Sequence, residues 1–222
     1  KSMPFFVFML MAGSLVEAAG DNLDKLMEQL VFLGNYSWVV VLALALVAFI
    51  FYPTLVALFA RNVGPFKFFK GIGQAQLTAF STSSSMATLP VTMECVHDKL
   101  NVPKSISSFV LPIGATVNMD GTSLYQAVAV VAMAQFHMVE LDIAQQIVIV
   151  VTATLASIGA AAVPSAGLVL MIVVLESVGL NPAWIAIILP VDRILDMCRT
   201  VVNVTGDATV SSLIASTEKV QD

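Results

Sequence analysis

The chain has 222 residues, of which 58% are hydrophobic and 11% are charged, and its mean hydropathy is +0.92. A soluble domain carries about 25% charged residues, so this composition excludes an ordinary soluble domain and indicates a polytopic α-helical membrane protein. The net charge of −5 is accompanied by no basic patch, and we therefore expect no nucleic-acid partner.

Residues 1–65 are predicted to form two transmembrane helices, a short one from Pro4 to about Ala19 and a full span from Leu33 to Ala60. The uncharged stretch from Gln29 to Ala60 is longer than the roughly 20 residues that cross a bilayer as a helix. The first segment lacks the charged region and cleavage site of a signal peptide. We expect the chain to be a piece of a longer protein.

Two later segments are interrupted too early to cross a bilayer alone, and each is predicted to form a re-entrant helical hairpin. The first, residues 66–100, turns at the run from Ser81 to Ser85 and carries Pro90. The second, residues 141–180, turns between Ser157 and Gly167. Irregular backbone at membrane depth is tolerated where it lines a cavity or is buried in protein. Paired interrupted segments are typical of secondary transporters built on inverted repeats.

Basic side chains cluster at the ends of the first hairpin, whereas most other connections are acidic. The basic residues are Arg61, Lys67, Lys70, Lys99 and Lys104. Because lysine and arginine favour the cytoplasmic side, the first hairpin is expected to open from the cytoplasm and the second from outside. The two hairpin tips would then meet near the middle of the membrane.

Between the hairpins, residues 101–140 are predicted to form a transmembrane helix that is interrupted from Asn118 to Thr122. Unwinding there frees backbone oxygens, which suit hard cations such as Na⁺. These carbonyl oxygens belong to Gly114, Thr116 and Asn118. Asp120 or Asp207 would balance the charge of the ion. The competing reading is a simple kink with Asp120 protonated or paired to a base, although no basic residue is near it in sequence.

The final helix, expected within residues 181–222, carries five polar or ionisable side chains on one face. At about 100° per residue they lie within an arc of about 80°. They are Asp192, Asp196, Arg199, Asn203 and Asp207. A charge at membrane depth costs several kcal/mol unless it meets a partner, water or a ligand, so such residues mark a substrate or ion pathway.

Two members of this stripe suit an acidic amino acid. Arg199 presents a planar fork that matches a carboxylate, and Asp196 can receive an ammonium group. The alternative is an internal ion pair between Asp196 and Arg199 that only tolerates burial. Arg193 lies about 60° from Asp196 around the helix and could pair with Asp192 or Asp196. The serines of the first hairpin, Ser83–Ser85, are either helix packing or donors for a substrate carboxylate.

Three motifs resemble the dicarboxylate/amino acid:cation symporter family, which includes glutamate and aspartate transporters. They are Ser83–Met93, Leu111–Thr122 and Asp192–Asp207. The resemblance covers essentially the whole chain. It implies an all-α polytopic membrane fold with a glutamate-transporter-like transport core and two re-entrant hairpins, of which this chain is the C-terminal portion. Residues 1–65 would be the fifth and sixth transmembrane helices of the family, and four upstream helices would be absent.

The resemblance also implies a function, which is sodium-coupled secondary active symport of L-aspartate or L-glutamate by an elevator-type alternating-access mechanism. Enzymatic activity is not expected. The expected partners are the acidic amino acid, co-transported Na⁺ ions, the lipid bilayer and two further copies, in a homotrimer formed through upstream helices. A cell membrane is the expected location, with the bacterial inner membrane favoured. The candidate substrate-binding residues are Ser84, Ser85, Thr122, Val163, Gly167, Asp196, Arg199, Thr200 and Asn203.

Three sodium sites follow from the same resemblance. The first would lie among Gly114, Asn118, Asn203 and Asp207. The second would lie among Thr116, Met119, Ser157, Ile158 and Ala160. The third would lie near Asn118 and Asp120 and would be completed by an upstream helix.

The chain departs from the family pattern at several positions. Archaeal relatives carry an arginine where this chain has Ser83, and animal relatives carry one where it has Met197, so Arg193 is expected to supply that charge. The second hairpin tip has Ala160, Ala162 and Ser165 in place of threonine and glycines, which should restrict its backbone. Proton-coupled bacterial relatives carry an amide at the position of Asp207 and leucine at that of Met119, so the resemblance implies sodium rather than protons for this chain.

Other functions remain open on the sequence alone. A proton-coupled glutamate or C4-dicarboxylate symporter is the nearest alternative, although a dicarboxylate has no ammonium group for Asp196. A ligand-gated channel could use the same polar residues. An intramembrane hydrolase would need a base beside the serine run, and both histidines, His97 and His137, are expected near membrane boundaries.

Overall fold

The computed structural model describes residues 23–60, 63–160 and 162–218, together with Met9 and Gly13. The described part of the chain is helical and contains no strand, which agrees with the predicted all-α class. The helix predicted from Pro4 to Ala19 lies outside the residues that can be described continuously, so one of the two expected N-terminal helices is seen.

The first described helix, α1 (Leu23–Leu46), runs through a π-helical turn, Val47–Phe51, into α2 (Tyr52–Phe59). Within the described residues, Asp24–Phe59 is the one helix long and apolar enough to cross a membrane. It begins earlier than the predicted Leu33, because the charged residues before that point do not break a helix. The carboxylate of Asp24 lies in the first turn, where it interacts favourably with the positive end of the helix dipole.

The π-helical turn has a local cause in Pro53, which follows Tyr52 at the start of α2. Proline has no amide hydrogen, and its ring clashes with the carbonyl four residues earlier. A widened turn relieves both problems, and such turns often occur at functional sites. Its effect here is to direct the ring of Tyr52 into the protein, where the residue is buried.

The first hairpin, called hairpin 1, consists of α3 (Pro65–Thr82) and α4 (Ser85–Glu94). Ser83 adopts a left-handed conformation with φ of 52°, which reverses the chain. The Ser84 hydroxyl then caps α4 by accepting a hydrogen bond from the amide of Ala87 at 3.1 Å. A second π-helical turn, Cys95–Lys99, follows α4.

The next segment forms two helices, α5 (Lys104–Val117) and α6 (Asp120–Phe136), separated by Asn118 and Met119. The second hairpin, hairpin 2, consists of α7 (Ile143–Ile158) and α8 (Ala166–Ser177). Asp142 and Gln145 form a reciprocal capping box at the start of α7. Both helices of hairpin 2 pack against α6.

The last helix, α9 (Leu189–Thr217), follows a 3₁₀ helix, Pro182–Ile187, and packs against every helix from α1 to α6. Close packing suits a helix rich in small residues. The hydroxyls of Thr205, Thr209 and Ser212 bond to carbonyls four residues earlier in α9, so they can be buried without another partner. The helix with the polar stripe is therefore the centre of the fold.

The outer surfaces of several helices are strongly apolar. Exposed large side chains on α1, the π-helical turn after it, α7 and α8 include Trp38, Phe49, Ile147, Leu155 and Val169. A contiguous apolar surface of this kind is unusual for a soluble monomer. It is the surface expected where helices face lipid or other apolar helices.

Gly121 allows α6 to approach α9. A Cβ atom at this position would lie 2.4 Å from the backbone carbonyl oxygen of Arg199, which cannot move aside as a flexible side chain could. Gly73 in α3 has no atom within 4 Å of the equivalent point. The two glycines therefore provide a test of the closeness of the α6–α9 contact.

We expect Gly121→Ala to lower the thermal unfolding midpoint of the full-length protein in detergent, because overpacking costs about 1–3 kcal/mol. Gly73→Ala is the matched control and should leave the midpoint unchanged or raise it, since alanine is the better helix former by about 1 kcal/mol. Equal midpoints for the two variants would contradict the described packing of α6 on α9.

Candidate functional site

The two hairpin tips, the α5–α6 break and α9 surround a small buried cavity. Its volume is about 20 Å³, which is room for about one water molecule. Seven of the candidate substrate-binding residues line it, namely Ser85, Thr122, Val163, Gly167, Asp196, Thr200 and Asn203. The structure thus brings residues from both hairpins together with α6 and α9, in an arrangement that is closed.

Ser84 is a candidate residue that does not line this cavity. Its hydroxyl donates a 2.6 Å hydrogen bond to the carbonyl of Ala162 in the tip of hairpin 2. This bond joins the two hairpin tips directly. Ser84 therefore holds the hairpins together in this arrangement rather than facing the cavity.

Arg199 also lies outside the cavity wall, and its side chain is 1% exposed. Its Nε donates to Asp196 Oδ1 at 2.8 Å, and its Nη2 lies 3.3 Å from Asp192 Oδ1. The guanidinium carbon is 4.0 Å from the ring centre of Tyr125, a cation–π distance. The internal ion pair considered for Asp196 and Arg199 is therefore present.

The terminal nitrogens of Arg199 have no well-formed hydrogen bond with any described residue. Nη2 is at ion-pair distance from Asp192, but the geometry falls short of a hydrogen bond. Buried donors are nearly always satisfied in proteins. The guanidinium thus keeps hydrogen-bonding capacity for an additional acceptor.

Two residues of α6 that the sequence analysis missed support this part of the site. The Tyr125 hydroxyl donates to Asp192 Oδ1 at 2.8 Å, and Gln126 Nε2 donates to the Gly167 carbonyl at 2.8 Å. Both side chains are fully buried. A polar side chain within an apolar helix was the only sequence signal for either residue.

Arg193, which the sequence left free to pair with Asp192 or Asp196, lies nearer to Asp196. Its Nη1 is 3.9 Å from Asp196 Oδ2, and its side chain is 45% exposed. At that distance and exposure the pair is loose, and its contribution is small.

Asn203 joins α9 to the helix break. Its Oδ1 accepts a 2.8 Å hydrogen bond from the amide of Gly121, one of the first amides of α6, which have no acceptor within their own helix. Its Nδ2 lies 3.3 Å from both Thr122 Oγ1 and Met119 Sδ. A side chain from α9 therefore caps α6.

The four residues of the first expected sodium site lie together beneath this cap. Asn118 Nδ2 donates to Asp207 Oδ1 at 2.8 Å and lies 3.5 Å from the Asn203 carbonyl. The backbone amide of Asn118 donates to the Gly114 carbonyl at 2.8 Å. Gly114 is also so close to Asp207 that a Cβ there would lie 2.4 Å from Oδ1. We call Gly114, Asn118, Asn203 and Asp207 the oxygen cluster.

Asp207 is 3% exposed, and no described lysine or arginine forms an ion pair with it. Burying an ionised carboxylate without a positive partner is strongly unfavourable. The oxygen cluster therefore has the composition and the charge requirement of a site for a small hard cation.

Tyr52 adds a hydroxyl beside this cluster and was also missed by the sequence analysis. It donates a 2.6 Å hydrogen bond to Asp120 Oδ2. Gly206 allows this approach, since a Cβ there would lie 2.6 Å from both the Tyr52 hydroxyl and Asn118 Nδ2. Asp120 itself is exposed and pairs with this phenol rather than with a base.

The residues of the second expected sodium site are less closely grouped. Met119 and Ala160 line the same cavity. Ser157 is buried, but its hydroxyl bonds to the Thr154 carbonyl, and the Thr116 hydroxyl bonds to the Ile113 carbonyl. The Ile158 side chain is exposed. In this closed arrangement the hydroxyls of Ser157 and Thr116 donate hydrogen bonds to carbonyls of their own helices.

Comparison with known proteins gives one consistent result. The model of the sodium:dicarboxylate symporter family matches residues 1–217. Rabbit (Oryctolagus cuniculus) excitatory amino acid transporter 3 is 46% identical over 217 residues, which is 98% of this chain and 40% of the transporter. Mouse (Mus musculus) excitatory amino acid transporter 2 is 45% identical over 205 residues, or 92% of this chain and 35% of that protein.

Human (Homo sapiens) excitatory amino acid transporter 5 is 46% identical over 212 residues, which is 96% of this chain and 37% of that transporter. The chain therefore spans well under half the length of these relatives. The match over residues 1–217 confirms the family expected from the sequence motifs and, with it, the all-α membrane fold class. This chain belongs to the sodium:dicarboxylate symporter family.

Proposed function

We propose that the full-length protein containing this chain is a sodium-coupled symporter of acidic amino acids, L-aspartate or L-glutamate, that works by elevator-type alternating access. The observation that carries the proposal is the pairing of buried Asp196 and Arg199 beside a closed cavity. The ammonium group of an acidic amino acid could replace Arg199 as the partner of Asp196. A carboxylate of the same molecule could replace Asp196 as the partner of Arg199.

This exchange keeps both Asp196 and Arg199 paired, while the second carboxylate of the substrate adds one negative charge to the site. When the substrate ammonium meets Asp196 and a substrate carboxylate meets Arg199, each buried ion keeps an opposite charge beside it, which avoids the penalty of an unpaired buried charge. The unsatisfied Nη atoms of Arg199 can then make the bidentate hydrogen bonds that suit a carboxylate. Further polar contacts would come from Ser85, Thr122, Thr200 and Asn203, with Val163 and Gly167 supplied by hairpin 2.

The first of the three sodium ions would bind at the oxygen cluster. Asp207 supplies the negative charge, and Gly114, Asn118 and Asn203 supply neutral oxygens once the Asn118 amide turns its oxygen inward. The second ion would use Thr116, Met119, Ser157, Ile158 and Ala160, and the third would use Asn118 and Asp120. Tyr52 would help to orient Asp120 for the third ion.

Asn203 provides a physical route for coupling between ion and substrate. Its side chain lines the substrate cavity, and its carbonyl borders the oxygen cluster. If an ion and a substrate each stabilise the same position of Asn203, each raises the affinity for the other by the same factor.

The nearest alternative is a proton-coupled glutamate or C4-dicarboxylate symporter, in which Asp120 or Asp207 carries the proton. A C4-dicarboxylate would leave Asp196 without a cationic partner, so an amino acid fits this charge arrangement better. An enzymatic role is not supported, because His97 contacts the Val102 carbonyl and His137 stacks on Trp184, both away from the serines of hairpin 1.

The remaining parts of the proposal concern the whole protein. We expect a homotrimer formed through upstream helices, working in a cell membrane, with hairpin 1 entered from the cytoplasm and hairpin 2 from outside. The relatives named above are mammalian, so the bacterial inner membrane stays a prediction from the sequence.

The first experiment is calorimetric titration of L-aspartate into the full-length protein in detergent, with sodium and with choline in its place. Binding that needs sodium is the expected result. Equal binding in both salts would favour proton coupling, and binding of succinate but not aspartate would favour a dicarboxylate.

For Arg199→Cys we expect aspartate affinity to fall about 30-fold or more, since losing one partner of a buried charge pair costs about 2–5 kcal/mol. Neutral amino acids should then compete better than aspartate. Arg193→Cys is the matched control, because its side chain is half exposed and its ion pair is loose. Retained aspartate affinity in Arg199→Cys would remove Arg199 from the substrate site.

Asp207→Asn should raise the sodium concentration needed for half-maximal aspartate binding by about tenfold, because the charge of the ligands tunes the affinity of a cation site. The control is Asp98→Asn, which changes an exposed carboxylate that pairs with His97. An unchanged sodium response in Asp207→Asn would exclude the oxygen cluster as a sodium site.

A further inference from the structure

Ser165, the last residue before α8, attaches the tip of hairpin 2 to α9. Its backbone amide donates to Asp196 Oδ2 at 2.9 Å, and its hydroxyl donates to Asp192 Oδ2 at 3.0 Å. Among the described hydrogen bonds, these two are the ones that join hairpin 2 to α9. The helices of hairpin 2 pack on α6, so the tip depends on Ser165 for its polar attachment to the charged stripe.

The backbone of Ser165 is in an unfavourable conformation. Its φ is +60° and its ψ is 9°, in the left-handed region, which costs a residue other than glycine about 1–2 kcal/mol. Such conformations persist where the surrounding structure enforces them, often at ligand clamps and switches. The two carboxylate contacts are the interactions that offset the strain here.

These contacts also occupy the carboxylate that the substrate ammonium needs. Asp196 Oδ1 accepts from Arg199 and Oδ2 accepts from Ser165, so both oxygens have protein donors. The cavity beside them, about 20 Å³, has no room for an amino acid. Because the cavity is this small, the closed position of the hairpin 2 tip and a bound substrate exclude each other.

From this geometry we infer that Ser165 is a latch that holds hairpin 2 closed over the unloaded site. The inference rests on the proposed function and adds a step to it. A symporter has to return without cargo after release, and closing the gate for that return needs an interaction that does not come from substrate. Ser165 supplies it by placing two protein donors on the charged stripe.

The latch also competes with substrate. Apparent affinity falls in proportion to the fraction of protein that is competent to bind. Removing the hydroxyl should therefore leave aspartate binding as tight as before or make it tighter, whereas a merely structural defect would weaken it. Arg199 keeps its contacts with Asp192 Oδ1 and Asp196 Oδ1 in such a variant, because the Ser165 hydroxyl bonds to the other oxygen of Asp192.

The test variants are Ser165→Ala and Ser165→Gly. Both lose the hydroxyl, and glycine also relieves the left-handed strain, so it guards against a folding failure of the alanine variant. The matched control is Ser177→Ala in the same hairpin, where the hydroxyl bonds only to the Val174 carbonyl of its own helix. All variants are made in the full-length protein with Cys95 and Cys198 replaced by alanine.

The first measurement is the distance between spin labels at Met86→Cys on hairpin 1 and Val169→Cys on hairpin 2, both exposed positions, without sodium or aspartate. The wild-type background and Ser177→Ala should give one short distance. Ser165→Ala and Ser165→Gly should add a second, longer one. The longer distance should be less populated in Ser165→Gly than in Ser165→Ala, because glycine also removes the strain that opposes closure. The same short distance in all four backgrounds would overturn the latch, whether or not the protein transports aspartate.

The second measurement compares net sodium-driven aspartate uptake into proteoliposomes with exchange of internal for external aspartate. Exchange uses only the loaded carrier, whereas net uptake needs the unloaded return. Loss of a hydrogen bond to a charged group shifts an equilibrium by about tenfold or more, so we expect net uptake to fall about tenfold in Ser165→Ala, and by less in Ser165→Gly, while exchange in both stays near that of Ser177→Ala.

Equal loss of both transport modes in both Ser165 variants, or no loss in either mode, would overturn the role in return. Weaker aspartate binding in Ser165→Gly would do the same. A wild-type protein that shows neither uptake nor exchange would instead overturn the proposed function, and the spin-label distances would still decide whether the latch exists.

Discussion

The neutralisation of buried charge on α9 is the constraint on which the rest of this structure depends. Asp192 and Asp196 share the one buried cation, Arg199, whereas Asp207 is buried against the side-chain amide of Asn118 without a described basic partner. A low-dielectric interior makes each of these charges costly unless it is paired. The surrounding helices therefore meet α9 with polar atoms where its stripe faces them, and Asp207 is the part of the stripe for which the proposed function supplies a cation.

The irregular parts of the backbone lie beside these charged residues. The break at Asn118 and Met119 faces Asn203 and Asp207, the tip of hairpin 2 reaches Asp192 and Asp196, and the π-helical turn before Tyr52 brings a phenol to Asp120. Each irregularity releases backbone or side-chain groups that a regular helix would keep to itself. The helix breaks thus supply the polar groups that the buried charges of α9 need as partners.

Local patterns in the sequence predict the polar face of α9 and the helix ends, but not the contacts between distant residues. The helical period of Asp192 to Asp207 predicts a single polar face, and the serine-rich and glycine-containing interruptions predict where helices stop. Tyr52, Tyr125 and Ser165 could not be assigned in this way, because their roles come from partners 68, 67 and 27–31 positions away in the chain. The start of α1 at Leu23 was missed because charged residues were read as a membrane boundary, although they do not end a helix.

The double position of Asn203 has a consequence for how such a protein can change over evolutionary time. Its side chain caps α6 and lines the cavity between the hairpin tips, while its carbonyl borders the oxygen cluster. A substitution at Asn203 that reshapes the cavity also changes a residue next to Asp207. Under the proposed function, new substrate preferences are therefore more accessible through residues that border the cavity alone, such as Ser85 or Thr200, than through Asn203.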